Sequence, residues 1–201
     1  MGYVKKFINK IFYRPKICVQ GENNVIKFSK TAQFRRFKVE IYGSNNTVIV
    51  DDNSYVHNSK LIIGFPEVPA MNCKVHIGKK CGINSMLMQL AESNSSITMG
   101  DDCMVADDVE INCTDHHAIF NNEDKLINKG SSLVIGSHVW LCRRVTIMKN
   151  SIIPDGCIVG ACSLVAKKFD KKNCVIAGNP AKIVKENIHW DRKRPECFLP
   201  N

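Results

Sequence analysis

"IGSHVWLCRRVTIMKNSIIPDGCIVGACSLV", residues 135–165, carries a branched aliphatic at every sixth position: Ile135, Leu141, Ile147, Ile153, Val159 and Val165. Four places after each of the first five stands a smaller side chain: Val139, Val145, Ser151, Cys157 and Ser163. Strands alternate with a period of two and helices repeat every 3.6 residues. A strict six fits neither alone. It fits a flat strand followed by a turn, three times per coil, with one large and one small side chain pointing inward. Hexapeptide periodicity of this kind marks parallel β-solenoids, whose stacked coils share one continuous core. At about 18 residues per three-sided coil, the repeat predicts roughly seven coils.

The register runs upstream with less regularity. "IGKKCGI" (77–83) and "MGDDCMV" (99–105) match "IPDGCIV" (153–159), placing Cys81, Cys103 and Cys157 four after a large apolar residue. Cysteine packs there as a small hydrophobe. Farther up, "NNVIKF" (23–28) and "NNTVIV" (45–50) lie 22 residues apart. Asparagine visits the left-handed conformation more readily than most residues, so the Asn pairs mark corners. The sequence divides into an N-terminal basic amphipathic arm at 1–20, a β-helix at 21–176 and a closing segment at 177–201. In that last segment, Asn179 suits a helix N-cap and Pro180 a first helical turn. Ile183, Val184 and Ile188 then form one apolar face, which predicts a short C-terminal α-helix over the open end of the solenoid. The arm has Val4, Phe7, Ile8, Ile11 and Phe12 interleaved with Lys5, Lys6 and Lys10. It reads as a cap on the first coil, or, over residues 1–16, as a peripheral membrane contact.

Composition narrows the class. The 201 residues are 44% hydrophobic, enough for one sizeable core. No run of about 18 apolar residues suggests a membrane-spanning helix, and the start lacks the pattern of a signal peptide. None of the ten cysteines forms a C-x-x-C pair, so the expectation is free thiols in a reducing, cytoplasmic setting, or at the inner face of a membrane. Net charge is +9, with ten Lys/Arg against two acids in residues 1–40 and nine against four in 165–201. Basic ends around a mildly acidic middle point to an anionic partner. With no nucleic-acid module or aromatic-basic motif, nucleic acid is not expected.

The repeat breaks after Ile111 and resumes at Ile135, with the loop "DHHAIFNNEDKLINKGSS" at 115–132 between. Loops of that length inside a regular scaffold are commonly functional. The wider pattern, "GDDCMVADDVEINCTDHHAIF … INKGSSLVIGSHVW … VGACSLVAKKF … VIAGNPAKIV", resembles the left-handed β-helix, hexapeptide-repeat O-acetyltransferases over roughly 75–190. Within them it is most similar to the branch acting on bacterial capsule, sialic acid and other surface sugars. The resemblance implies a left-handed all-β parallel helix, a homotrimer with its cleft shared between subunits, and acetyl-CoA as acetyl donor. It implies a carbohydrate acceptor, anionic in view of the charge, and no metal. The family's D-x-H-x-I loop pattern falls on Asp115, His117 and Ile119, so its catalytic base maps to His117. Asp115 would orient the imidazole or hold a sugar hydroxyl, and His116 fills the variable position between.

On the same resemblance, Trp140 of "IGSHVW" falls beside the acceptor sugar or the acetyl group; His138, two residues earlier, would point the same way from the strand. "VGACSLVAKK" corresponds to the stretch whose backbone meets the pantetheine arm, which points to Gly160, Ala161 and Ser163, with Lys167 and Lys168 facing phosphates. "GNPAK" puts Asn179, Pro180 and Lys182 at the adenine end. Where the family has glycine at turns, this chain has Cys142, Asn150 and Cys162, and Ala166 replaces a threonine.

Three other readings compete. A β-helix carbonic anhydrase needs three converging histidines, but His116 and His117 are adjacent and His57 and His76 lie outside the matched region. A non-catalytic polysaccharide-binding scaffold would not need the D-x-H loop. An amino-sugar N-acetyltransferase or xenobiotic acetyltransferase shares the donor chemistry and differs in acceptor.

Overall fold

The computed structural model describes residues 13–199. Its strands form a three-sided left-handed β-helix. Face I stacks seven parallel strands from Lys16–Gln20 to Leu164–Val165, and face II stacks six from Val25–Phe28 to Ile152–Ile153. Face III runs from Gln33–Arg35 to Val175–Gly178 and ends on one antiparallel strand, Ala181–Lys185. Each coil hydrogen-bonds to the next, so backbone polar groups inside the stack are used, at about 4.8 Å per coil.

The six-residue register has a direct physical outcome. Ile135, Leu141, Ile147, Ile153, Val159 and Val165 are all at most 1% exposed, and their small partners Val139, Val145, Ser151, Cys157 and Ser163 are buried between them. Cys81 and Cys103 lie in the same core. Burying one large aliphatic contributes about 1.5–3 kcal/mol, repeated along the axis. Between strands the chain turns through left-handed residues, also six apart: His138, Arg144, Asn150, Gly156 and Cys162. Asn150 and Cys162 thus take corner positions expected of glycine. Cys142 does not; the corner after face III is turned by Arg144, two residues on.

The early coils are longer, and the surplus is local. Partners are 18 residues apart at Thr146↔Leu164, 22 at Lys38↔Lys60, 27 at Thr47↔Lys74 and 36 at Ser96↔Ser132. Two long excursions, 64–73 and 113–131, leave the stack at the corner between faces I and II. Both therefore emerge along one edge of the prism.

Two boundaries differ from those read in the sequence. Residues 16–20, placed in the N-terminal arm, form the first strand of face I and pair with Lys38–Tyr42; the β-helix starts at 16. Residues 1–12, where the basic amphipathic pattern lies, are outside the described residues. The expected C-terminal helix is instead a hairpin. Val175–Gly178 continues face III, the chain reverses through Gly178 (φ +106) and a cis Asn179–Pro180 bond, and Ala181–Lys185 returns beside it. A solenoid end presents unpaired strand groups, and a returning strand satisfies them where a helix would not. The only helical turn among the described residues is the 3₁₀ segment Pro195–Phe198. No described helix is long and apolar enough to cross a membrane.

Candidate active site

The longer excursion is an ordered finger, and its hydrogen bonds show why. At its base, Glu92 on the coil below accepts from the Thr114 hydroxyl at 3.0 Å and from the Asp115 amide at 3.3 Å. The same Thr114 oxygen accepts from the His116 amide at 2.8 Å. Asn128 ties the finger's two limbs. Its Nδ2 donates to the Asp115 carboxylate at 2.9 Å and the His117 carbonyl at 2.8 Å, and its Oδ1 accepts from the Ile119 amide at 2.8 Å. Farther out, Phe120 and Leu126 face each other across an antiparallel bridge. The return limb passes close to the coil below at Gly130, where a Cβ would lie 2.8 Å from the Ser93 carbonyl oxygen.

Lys149, from the next coil, anchors the finger from the other side. Its Nζ lies 2.6 Å from Asp115 Oδ2, 2.8 Å from the Asn128 carbonyl and 3.4 Å from that of Lys129, with the side chain 9% exposed. The Lys149 hydrogen bond, aided by Asn128 against partial burial, holds the Asp115 carboxyl below its ordinary value. Among the described residues Asp115 makes no hydrogen bond to the His117 ring; its Oδ2 serves the finger's foundation. Lys149, Asn128, Thr114 and Glu92 escaped the sequence reading because nothing in their spacing marks them. Only the fold brings them together.

His116 and His117 both line a cavity of about 530 Å³, with Ser93, Asn94, Asn128 and Lys129 among its walls. Both histidines are exposed. Among the described residues the His117 ring has no hydrogen-bond partner, and it is free to engage a ligand. His116 is left-handed (φ +61), and its ring lies 5.8 Å from that of Phe65 in the shorter excursion. Beneath the cavity, Glu92 Oε2 is buried without a partner among the described residues. Burial first, then the Glu92 carboxylate, pushes the neighbouring Cys113 thiol up to about 12, so it is no nucleophile.

His138 and Trp140 lie elsewhere, on the corner and strand of face III. The His138 ring is committed to the protein. Nδ1 is 2.7 Å from Asp102 Oδ2, Nε2 is 3.1 Å from the Trp190 carbonyl oxygen, and the ring stacks on Trp190 at 4.0 Å. Trp190 Nε1 donates back to the His138 carbonyl at 3.0 Å, and Arg192 Nε donates to Asp102 at 3.0 Å. Burial opposes the Asp102 charge, but the hydrogen bonds from His138 and Arg192 outweigh it and the carboxyl is lowered. His138 thus latches the C-terminal segment, with no ring nitrogen left for a sugar. Trp140 packs 5.9 Å from Trp190 and keeps partial exposure.

The residues assigned to the donor gather at the late coils. Ala161, Lys167, Lys168, Asn179, Pro180 and Lys182 are exposed, and Gly160 is half-buried against Ala177. Lys167 Nζ sits 4.9 Å above the Phe169 ring. Ser163 is buried, and its hydroxyl accepts from the Gly178 amide at 3.1 Å, which fastens the terminal hairpin. Its side chain is structural. Among the described residues no three His, Cys, Asp or Glu side chains converge as a metal site would require.

No family model matches the chain. It is 36% identical over 191 residues to the polysialic acid O-acetyltransferase of Neisseria meningitidis, an alignment covering 87% of this chain and 88% of that protein. Two solved structures resemble it closely. The polysialic acid-specific acetyltransferase NeuO superposes with a TM-score of 0.82 at 32% identity, covering 90% of this chain and 74% of the other. The polysialic acid O-acetyltransferase OatWY gives 0.68 at 34% identity, covering 89% and 92%.

Proposed function

Since the chain belongs to the family of hexapeptide-repeat sugar O-acetyltransferases that includes the polysialic acid enzymes, we propose that His117 is the general base of an acetyl transfer from acetyl-CoA to a hydroxyl of a sialic acid-containing surface polysaccharide. The observation that carries this reading is an imidazole at a cavity wall, unpartnered among the described residues, on a finger pinned by Glu92 and Lys149. A sugar hydroxyl is a weak nucleophile at neutral pH, and a neutral imidazole suits removal of its proton during attack. The hydroxyl oxygen bonds to the thioester carbonyl carbon as His117 takes the proton. The tetrahedral intermediate then collapses, the C–S bond breaks, and the CoA thiolate recovers the proton from the imidazolium. No acetyl-enzyme is needed. Gly160 and Ala161 would meet the donor's pantetheine arm, with Lys167, Lys168 and Lys182 toward its phosphates and Asn179 and Pro180 toward its adenine. Trp140 would border the acetyl group or the acceptor. The active assembly is a homotrimer.

Thiol release from acetyl-CoA, measured across sialosides, neutral oligosaccharides and amino sugars, tests the assignment. We expect turnover with sialosides. Turnover on amino sugars alone would make the enzyme an N-acetyltransferase, and none with any acceptor would sink the reading.

A further inference from the structure

The shorter excursion, 64–73, leaves the same prism edge as the His117 finger, two coils earlier. Its coil has five residues more than the coil before it, since Thr47↔Lys74 spans 27 residues and Val25↔Thr47 spans 22. Those residues build a closed knob. Phe65 and Val68 exchange both backbone hydrogen bonds, at 3.0 and 3.1 Å, and Pro66 and Pro69 stiffen the turn. The knob is bolted to the cavity wall: the Met71 amide donates to Ser93 Oγ at 2.9 Å, and the Asn94 amide donates to the Met71 carbonyl at 2.8 Å. Ser93 and Asn94 are cavity residues, and so is His116, whose ring meets Phe65. Phe65 does not line the cavity. With a coil step of about 4.8 Å, the knob carries the wall onward along the solenoid axis. Val68 and Met71 stand 60% and 46% exposed on it.

We propose that this edge is a second saccharide subsite, taking the acceptor residue next to the one acetylated, with Phe65 as its platform. A pyranose ring has an apolar C–H face and a rim of hydroxyls. Carbohydrate of that shape fits an aromatic ring and apolar shoulder flanked by the hydroxyl of Ser93 and the side-chain amides of Asn94 and Asn72, which face each other at 3.3 Å. The rigid knob holds these groups in place before binding, which lowers the ordering cost of a flexible chain. The enzyme therefore favours oligosaccharide over monosaccharide acceptors.

The proposal rests on acyl transfer at His117, so binding and turnover are read separately. Titration calorimetry without acetyl-CoA compares a sialic acid oligosaccharide with the monosaccharide. Wild type should bind the oligosaccharide more tightly, and Phe65→Ala should reduce that preference about tenfold, the weight of one aromatic contact. Phe65→Trp should keep it. Thermal melting confirms that each variant is folded, and Phe65→Leu tests apolar bulk without a ring. The subsite is overturned if wild type binds the two sugars equally, or if Phe65→Ala weakens both alike, which would make Phe65 only a brace for His116. Thiol-release assays on the same proteins report the fate of the acyl-transfer reading independently.

Discussion

His116 and His117 are neighbours whose backbones give them different tasks. At the corner between faces I and II the left-handed non-glycine residue is Asn23, Asn45, Asn72, Asn94 and Asn150 in five coils, and Gly21, Gly43 and Gly64 also take positive φ there. In the coil that carries the finger, the first left-handed residue after face I is His116. Asn and His are among the few side chains that tolerate this conformation, so His116→Asn should preserve the corner and cost little turnover. His117→Ala should lower kcat by at least about 10²-fold with a modest change in acetyl-CoA affinity, the low end for losing a general base. Steady-state kinetics on the two variants decides it, and a dead His116→Asn beside an active His117→Ala would reverse the assignment. Lys149 supports both. Its removal in Lys149→Met takes the Lys149 donor from the Asn128 and Lys129 carbonyls, at about 1–3 kcal/mol per unsatisfied group, and leaves Asp115 with Asn128 alone. Because Asp115 is held below its ordinary value of 3.8, its contribution is present above that value and lost as pH falls through the lower folded one. In wild type the finger should therefore resist proteolysis until the pH drops below the carboxylate range. In Lys149→Met it should be cleaved at neutral pH, and equal resistance in the two proteins would show that Lys149 anchors nothing.

At the scale of the coil, corners differ in the change they tolerate. Gly156 turns from face II to face III at φ +70, and an added Cβ would lie 2.0 Å from Asn173 Oδ1. The Asn173 amide can swing aside, so the cost of Gly156→Ala is the left-handed strain, about 1–3 kcal/mol. Asn150→Gly, at a left-handed corner with an adaptable residue, should stay within about 1 kcal/mol. Thermal melting of the two variants checks the contrast, and equal losses would mean that corner conformation is not what limits these coils. The same contrast explains what the sequence disclosed. Late coils obey a strict six because their corners have no surplus, and Ile135 to Val165 could be read directly into the core. In early coils the extra residues at one corner hide the period. The C-terminal hairpin was misread because Ile183, Val184 and Ile188 mimic a helical spacing. In the fold Ile183 pairs with Ile176, while Val184 is 62% exposed on the other side. What selects a strand there is the open edge of face III, a tertiary fact absent from local spacing. The loop histidines were legible as a break in rhythm. The groups that hold them, Glu92 and Lys149, lie one coil before and one coil after, and no sequence period connects them to His117.

For the whole molecule, the proposed base and the proposed donor stretch lie on different edges. His117 projects from the corner between faces I and II, while Gly160 and Ala161 sit at the corner between faces III and I. Within one chain the width of face I separates them. The finger also displays Ile119, Phe120 and Ile127 at 49%, 56% and 59% exposure. An exposed apolar group of this kind marks a contact surface. The homotrimer we propose would answer both observations, laying one subunit's finger against the late coils of the next so that the base meets a donor bound there. The arrangement predicts complementation. His117→Ala lacks the base, and Ala161→Trp, at an exposed position, should block the donor stretch while leaving the core untouched. Each variant alone should be inactive. Unfolded together and reassembled, they should form mixed trimers in which some clefts pair an intact finger with an intact donor stretch, and turnover should return. Light scattering would confirm assembly, and differently tagged chains co-purified together would confirm mixing. If verified mixed trimers stay silent, finger and donor stretch act within one chain. If wild type turns over as a monomer at micromolar concentration, the trimer is not the catalytic unit.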